Sequence, residues 1–323
     1  MKNTILSTQD LSIGYGKTTI KRNINISAPS GVLISLVGRN GYGKSTLLRT
    51  IAGLQLPLAG VVELNGKNIS EISDNERSKL LSLVLTERIS VDNLTVFDLV
   101  SFGRYPYTSW NGSLGNEDIA IVEDALKKVH IWHIRDKMIS QTSDGEKQRA
   151  VIAKALAQET PLVLLDEPTS HLDLSNRIDI MLLLRKLASE TGKTFILSSH
   201  ELDLAVKMSD YLWIMQEDKI TTGLPEDLLM DGVFQKAFSS EVFNFDTEDG
   251  HYQIVSQPTK KSVCIRGLTT TDKARWLRRA FIRCGIAENP TANKCVEVLE
   301  DRFVFDDKKS AFIEDVIRWA LSD

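Results

Sequence analysis

The sequence has few cysteines, no long apolar run and little net charge. The three cysteines, Cys264, Cys284 and Cys295, lie in the last fifth of the 323 residues without C-x-x-C spacing, which favours free thiols in a reducing cytosol over disulfides or a metal site. No apolar run approaches the roughly 18 residues that a membrane-spanning helix needs, and the N-terminus lacks a signal-peptide core, so we expect a soluble chain. The net charge of −4 predicts no bulk attraction for nucleic acid or for an acidic membrane.

The sequence contains enough apolar residues to form a core, and it contains one glycine-rich stretch. Hydrophobic residues make up 42% of the chain, whose length suits one large or two modest domains. Residues 38–46 fit the pattern G-x-x-x-x-G-K-[ST] and lie between a predicted buried strand at 32–37 and a predicted helix at 46–52. This order directs backbone N–H groups toward a phosphate, with Lys44 at the terminal phosphates and Ser45 on Mg²⁺. The stretch therefore predicts a nucleotide site.

Two acidic residues follow a second apolar run. Residues 162–165 predict a buried strand, and Asp166 and Glu167 come directly after it. The carboxyl edge of an open α/β sheet is where ligands bind, and paired acids there need a cation or a water as partner. We expect Asp166 on Mg²⁺ and Glu167 positioning a water. His200 ends another predicted strand, 194–199, and is placed to touch a phosphate.

Ser143 and Glu146 form a predicted capping box at the start of a helix that runs to about residue 158. One interpretation is simply a well-capped helix. The other is a phosphate site, because the same geometry offers a hydroxyl, free N–H groups and a positive dipole end.

Two aromatic features each have two interpretations. Tyr15 lies between two glycines, where its ring could stack on a base or occupy an ordinary hairpin turn. Residues 103–112 form a turn-rich loop with Arg104, Tyr105, Tyr107 and Trp110. Exposed Tyr, Trp and Arg anchor partner surfaces, whereas the alternative is a locally packed aromatic loop.

Residues 1 to about 257 resemble the ATP-binding subunit of an ABC transporter, with motifs in the family's order and spacing. Residues 103–107 and Asp144 further resemble the subfamily that serves ferric-siderophore, haem and cobalamin importers. The matching positions are Tyr15 for the adenine-stacking aromatic; Gly38, Asn40, Gly41, Gly43, Lys44, Ser45 and Thr46 for the Walker A loop; Ser143, Gly145 and Glu146 for the signature motif; Asp166 and Glu167 for Walker B; residues 170–173, ending at Asp173, for the D-loop; and His200 for the switch histidine.

The resemblance implies an ATPase that acts as a head-to-tail homodimer with two ATP molecules and Mg²⁺ at its interface. Glu167 would polarise the attacking water, His200 would contact the γ-phosphate, and the signature helix of one chain would close on the Walker A loop of the other. It also implies integral membrane permease subunits as partners, a substrate-binding protein as an indirect one, and a cytoplasmic location on the inner face of the cell membrane. No nucleic-acid partner is expected.

Four positions depart from the family pattern. Tyr42 stands where Walker A usually has a small residue, Thr142 replaces the usual leucine of the signature, and Asp144 replaces a glycine near a phosphate site. The expected Q-loop glutamine is absent, and Thr86 or Glu87 occupies its place. Glu87 could serve a Mg²⁺-bound water.

Two other classes compete with transport. A soluble, non-transport ABC ATPase often carries two cassettes or a coiled-coil insertion, and this chain has one cassette and no heptads. A P-loop kinase would explain residues 38–46 but not the stretch from Ser143 to Glu146.

The expected fold is an α/β P-loop NTPase cassette with a mixed core sheet, an antiparallel β subdomain and a helical subdomain at about 88–158. After a predicted linker near residue 258, residues 258–323 predict a small α+β domain of order β-α-β-β-α. Its first helix, at 272–284, is rich in arginine on the exposed face, which could meet anionic headgroups or simply face solvent. We expect a regulatory or dimer-stabilising appendage.

Overall fold

The computed structural model describes residues 3–85, 93–109, 112–238, 243–246, 251–254 and 261–322. The chain divides into two compact units, Met1–Ala237 and Phe238–Asp323. Within the described residues, no helix combines the length and apolar character that crossing a membrane requires.

The first unit begins with an antiparallel sheet, contains a largely parallel core sheet and carries nine helices among its described residues. Its strands are β1 (Thr4–Tyr15), β2 (Thr18–Ile24), β3 (Ser27–Pro29), β4 (Leu33–Gly38), β5 (Ala59–Leu64), β6 (Lys67–Asn68), β7 (Leu81–Val84), β8 (Leu162–Leu165), β9 (Thr194–Ser199), β10 (Tyr211–Met215) and β11 (Ile220–Gly223). Its helices are α1 (Lys44–Ile51), α2 (Asp74–Leu80), α3 (Val96–Ser101), α4 (Asn116–Lys128), α5 (Asp144–Ala157), α6 (Leu174–Thr191), α7 (Leu202–Met208), α8 (Pro225–Met230) and α9 (Val233–Phe238), whose last residue belongs to the second unit.

The antiparallel sheet has the order β2-β1-β5-β6, with β3 also paired to β1. Strands β2 and β3 are separated by Asn25 and Ile26, and Asn23, near the end of β2, adopts a positive φ of 53°. Asn65 and Gly66 form a hairpin turn: both have positive φ, 49° and 75°, and Leu64 pairs with Lys67 across a two-residue loop.

The core sheet has the order β11-β10-β4-β9-β8-β7 and is the mixed sheet that the sequence predicts. All neighbouring pairs are parallel except β10 with β11. Strands β4, β8 and β9 are buried along their whole length, which explains their uninterrupted apolar character. Because these strands are parallel, their carboxyl ends meet at one edge, and Gly38, Asp166 and His200 all lie there.

Helices α3, α4 and α5 pack together through a cluster of buried apolar side chains that includes Val100, Val122, Leu126 and Ile152. This is the region of the predicted helical subdomain. Capping boxes at Thr95 and Ser143 start α3 and α5, which satisfies N–H groups that would otherwise lack partners.

The second unit contains a five-stranded sheet of order β15-β14-β16-β17-β18 and two helices packed on the sheet by one apolar cluster. Two short strands, β15 and β18, add to the predicted order. The elements are the hairpin β12 (Phe243–Asp246) and β13 (His251–Ile254), then β14 (Ser262–Gly267), α10 (Asp272–Arg283), β15 (Ala287–Glu288), β16 (Lys294–Val298), β17 (Phe303–Phe305), β18 (Lys308–Ser310) and α11 (Ile313–Leu321).

Candidate nucleotide-binding site

The loop between β4 and α1 depends on glycine for its shape. Gly41 and Gly43 have φ values of 81° and 98°, in the left-handed region that other residues rarely adopt. A Cβ at Gly38 would lie 2.7 Å from the Met215 carbonyl oxygen, and one at Gly43 would lie 2.7 Å from Ile20 Cγ2. Asn40 and Gly41 are exposed at the crest of the turn. The loop therefore presents bare backbone at the N-terminus of α1.

Lys44 points back into this loop. Its Nζ donates to the carbonyl oxygens of Gly38, at 2.8 Å, and Arg39, at 3.4 Å, and the side chain is almost fully buried. Burial lowers the pKa of Lys44, while the nearby carboxylates of Glu167 and Asp166 act in the opposite direction. A cation thus lies inside the glycine-rich loop, facing two acids.

Asp166 receives two hydroxyl hydrogen bonds. Ser45 Oγ donates to its Oδ1 at 2.9 Å, and Ser198 Oγ donates to the same atom at 2.7 Å. The sequence interpretation missed Ser198, although a polar side chain at the carboxyl end of a buried strand was a signal. A carboxylate and a serine hydroxyl are hard oxygen donors of the kind Mg²⁺ prefers, and so the residues present fit that ion.

Glu167 adopts a left-handed backbone with a φ of 50°, a conformation that costs a non-glycine residue roughly 1–3 kcal/mol. Its N–H donates to Ser198 Oγ at 2.9 Å, and its Oε1 lies 2.6 Å from His200 Nε2. The structure thus brings together the two residues that the sequence assigned to water activation and phosphate contact.

Tyr15 lies over the start of α1, and its ring is 54% exposed. Its hydroxyl shares a hydrogen bond with Thr46 Oγ1 at 3.2 Å, and Gln55 Nε2 donates to the Gly14 carbonyl just before it. The exposed ring beside the phosphate loop has the position that a base-stacking aromatic requires.

Ser143, Glu146 and Asp173 make local hydrogen bonds. Ser143 Oγ accepts from the Glu146 N–H at 3.2 Å, Glu146 Oε2 accepts from the Ser143 N–H at 2.8 Å, and Asp173 Oδ1 accepts from the Asn176 N–H at 2.8 Å. The bond from the Ser143 N–H is the main reason that the pKa of Glu146 is lowered. These side chains cap α5 and α6. Within the described residues, none of these hydrogen bonds is made with Lys44 of the glycine-rich loop.

Gly145 lies in the first turn of α5, where a Cβ would come 2.8 Å from Asn176 Oδ1. The signature helix and the helix after the D-loop therefore approach each other at a glycine.

Three of the residues that depart from the family pattern, Tyr42, Thr142 and Asp144, have a physical explanation. The Tyr42 ring is half-buried against the apolar cluster that includes Ile13 and Leu47, with Lys21 Nζ 5.5 Å from its centroid. Thr142 Oγ1 donates to the Ile139 carbonyl at 2.8 Å, which satisfies the buried hydroxyl. The Asp144 side chain is 64% exposed and lies 3.7 Å from Lys147. Thr86, Glu87 and Trp110 lie outside the described residues.

In the aromatic loop, residues 103–109, some side chains are packed locally and another is exposed as a partner surface requires. Arg104 is buried and donates to Asp118 at 2.9 Å and to Glu159 at 2.8 Å. The Tyr107 ring stacks on Arg104 at 4.1 Å, and its hydroxyl donates to the Gln158 carbonyl at 3.0 Å. Tyr105, in contrast, is 65% exposed. The predicted loop begins as a short 3₁₀-helix, Phe102–Tyr107, which Arg104 and Tyr107 hold in place, and Tyr105 lies on its surface.

The glycine-rich loop, buried lysine and paired acids at one edge of a parallel sheet define a P-loop nucleotide-binding protein. The family model described as ABC transporter matches residues 21–170. The chain is 38% identical to the iron(3+)-hydroxamate import ATP-binding protein FhuC of Bacillus subtilis, covering 80% of this chain and 94% of the relative. It is 36% identical to the ferric enterobactin transport ATP-binding protein FepC of Escherichia coli, covering 71% and 85%.

Among solved structures, the chain matches CbiO1 from Clostridium perfringens, part of the ABC transporter complex CbiONQ. The TM-score is 0.65 and the identity 29%, with 73% of this chain and 94% of CbiO1 covered. The chain belongs to the ABC transporter family, as one of its ATP-binding proteins, and is an ATPase.

Proposed function

We propose that this ATPase powers the import of an iron chelate, of the iron-siderophore, haem or cobalamin type, through a membrane permease. The observation that carries the proposal is the similarity, over 80% and 71% of the chain, to relatives named for iron-hydroxamate import and ferric enterobactin transport. The loop at residues 103–107, with Tyr105 exposed, gives further support.

The site residues divide the work of phosphoryl transfer between binding and water activation. Mg²⁺, when bound by Ser45 and Asp166, would neutralise charge on the phosphates. Lys44 binds the terminal phosphates, Glu167 orients the attacking water, and His200 holds the Glu167 carboxylate and contacts the γ-phosphate. The remaining nucleotide contacts are Tyr15 with the base and the backbone or side chains of Gly38, Asn40, Gly41, Gly43 and Thr46 with the phosphates.

The second half of each site comes from another copy of the chain. Ser143, Gly145, Glu146 and Asp173 lie at capped helix starts, whose N–H groups and positive dipole ends suit a phosphate. In a head-to-tail homodimer these residues close on the nucleotide of the partner. The dimer would work with integral permease subunits at the inner face of the cell membrane and, through them, with a substrate-binding protein.

The decisive experiment measures uptake of ⁵⁵Fe-loaded siderophores by cells that carry the permease, with and without this chain. We expect uptake to depend on the chain and on Glu167, and an integral membrane protein to co-purify with it. ATPase activity with neither uptake nor a co-purifying membrane protein would favour the alternative, a soluble non-transport ABC ATPase.

Changing Tyr105 to alanine should reduce transport and permease co-purification several-fold while sparing ATP binding. Its ring is exposed, and exposed aromatic side chains supply much of the energy of protein interfaces. Co-purification at matched expression, with nucleotide binding as a parallel measurement, checks this. Lys67→Ala, at an exposed position of β6, is the surface control. An unchanged complex in Tyr105→Ala would contradict the docking assignment.

A chain that ends at Gln257 should still bind and hydrolyse ATP. The second unit has its own apolar cluster, and the described site residues all belong to the first unit. We expect dimer stability or coupling to transport to change instead, measured by sedimentation and by uptake. A folded truncated protein without nucleotide binding would show that residues 258–323, the part of the second unit that is removed, contribute to the active site.

A further inference from the structure

The sheet of the second unit has two chemically different faces. Alternate residues of the central strands, Val263 and Ile265 on β14 and Val296 and Val298 on β16, belong to the apolar cluster under α10 and α11. The intervening residues point to the opposite face, because side chains alternate along a strand. That face carries two of the three cysteines, Cys264 on β14 and Cys295 on β16.

The two cysteines are direct neighbours. Strands β14 and β16 are parallel, and Cys264 is the register partner of Cys295. Adjacent strands lie about 4.8 Å apart, so the two thiols leave the sheet side by side. The Cys295 thiol donates to the Ala292 carbonyl at 3.7 Å, and interaction with the neighbouring Cys264 thiol is the main cause of the raised pKa of Cys295. Cys264 is 4% exposed and Cys295 is half-buried, so the pair can be reached from the Cys295 side.

The spacing between Cys264 and Cys295 suits a metal ion bound by both sulfur atoms better than it suits a disulfide bond. A disulfide draws two Cβ atoms to about 3.8 Å, which neighbouring parallel strands reach only by moving together. Two metal–sulfur bonds of about 2.3 Å, in line, place the two sulfur atoms about 4.6 Å apart, which is close to the spacing of about 4.8 Å between adjacent strands. A pair of thiolates on fixed strands is thus matched to one ion held between them.

The number of ligands selects the kind of ion. In the part of the chain that the structure describes, no group of three or more His, Cys, Asp or Glu side chains is arranged around a common metal position. Zn²⁺ requires four ligands in a closed site, whereas soft thiolates also select Cu(I). A two-sulfur site therefore favours a soft monovalent ion.

Arg266 supplies the charge that such a site needs. It follows Cys264 by two residues on the same face, and interaction with Cys264 and Cys295 raises the pKa of its guanidinium. Its register partner is Glu297. Two thiolates, one monovalent cation and the Glu297 carboxylate carry a net charge of −2, and the Arg266 guanidinium offsets one of these two charges.

We propose that Cys264 and Cys295 bind one Cu(I) ion as a two-coordinate bis-thiolate site, with Arg266 as its counter-charge. Two Cu–S bonds form, and each thiol gives up its proton to solvent. Cys284 is outside the site because it packs against the apolar cluster on the helix side of the sheet.

The test is an anaerobic titration of the reduced full-length chain with Cu(I) against a chromophoric Cu(I) chelator. We expect one tightly bound ion per chain and two sulfur neighbours in X-ray absorption. Cys295→Ser should weaken binding by more than the 10–100-fold typical of losing an outer-shell partner. Cys264→Ser should do the same, with circular dichroism reporting whether this buried position still folds. Cys284→Ser is the matched control and should bind normally.

Arg266 is tested separately, by its charge. Arg266→Gln should weaken Cu(I) binding by about tenfold, an outer-shell effect, and Arg266→Lys should restore most of it. The proposal fails if Cys295→Ser binds as the unchanged chain does, or if Cys284→Ser loses the ion. It also fails if the reduced chain binds no Cu(I) and air oxidation instead links Cys264 to Cys295.

Discussion

Changing Glu167 to glutamine should lower ATP hydrolysis by about 10²–10⁴-fold while leaving ATP binding intact. The amide keeps the shape of the side chain but loses the charge that orients a water, and it weakens the 2.6 Å contact with His200. Phosphate release measures hydrolysis, and size exclusion in ATP should reveal a dimer that no longer comes apart.

Glu190→Gln is the matched control for this change, because Glu190 lies near the far end of α6 in an exposed pair with Lys186. It should hydrolyse ATP normally and show no trapped dimer. Normal turnover by Glu167→Gln would refute the assignment of Glu167 as the water-orienting residue.

Changing Lys44 to methionine should lower kcat/KM for ATP by about 10²–10³-fold, the cost of removing one donor to developing phosphate charge. The ammonium is buried inside the glycine-rich loop and hydrogen-bonded to the Gly38 carbonyl at 2.8 Å, so a surface lysine cannot replace it. Kinetics and the rise in melting temperature with ATP measure the effect. A ligand at 100 times its Kd stabilises by about 2.7 kcal/mol, and this shift should disappear.

The same change should leave the ligand-free protein folded, because burial already disfavours the charged form of Lys44 and methionine fills a similar volume. Lys67→Met, at an exposed position, should retain the ATP-dependent rise in melting temperature. A full ATP-dependent shift in Lys44→Met would contradict the proposed phosphate contact.

Local patterns predicted the elements that carry the site. Strand β9 occupies the predicted residues, Thr194–Ser199, and its apolar residues Phe195, Ile196 and Leu197 are fully buried. Helix α6 begins after Asp173, which caps its start, and ends at Gly192 in a left-handed conformation. Both boundary residues are recognisable from the sequence.

Contacts between distant residues could not be predicted in the same way. The sequence allows two interpretations of Arg104, contact with a partner and local packing. It does not decide between them, because the two acidic partners of Arg104 lie 14 and 55 residues further along the chain. The hydroxyl of Ser198 meets Asp166 only when β8 and β9 pair. Motif spacing identifies residue types, whereas the fold decides which side chains touch.

The hydroxyl of Ser198 makes one site residue dependent on another. It donates to Asp166 at 2.7 Å and accepts from the Glu167 N–H at 2.9 Å, so one rotatable group serves as donor to the first acid and acceptor from the second. Any rotation of this hydroxyl that follows a change at Asp166 also alters the support under the strained backbone of Glu167. Asp166, which suits a metal ion, and Glu167, which we propose orients water, are thereby coupled through a single oxygen atom.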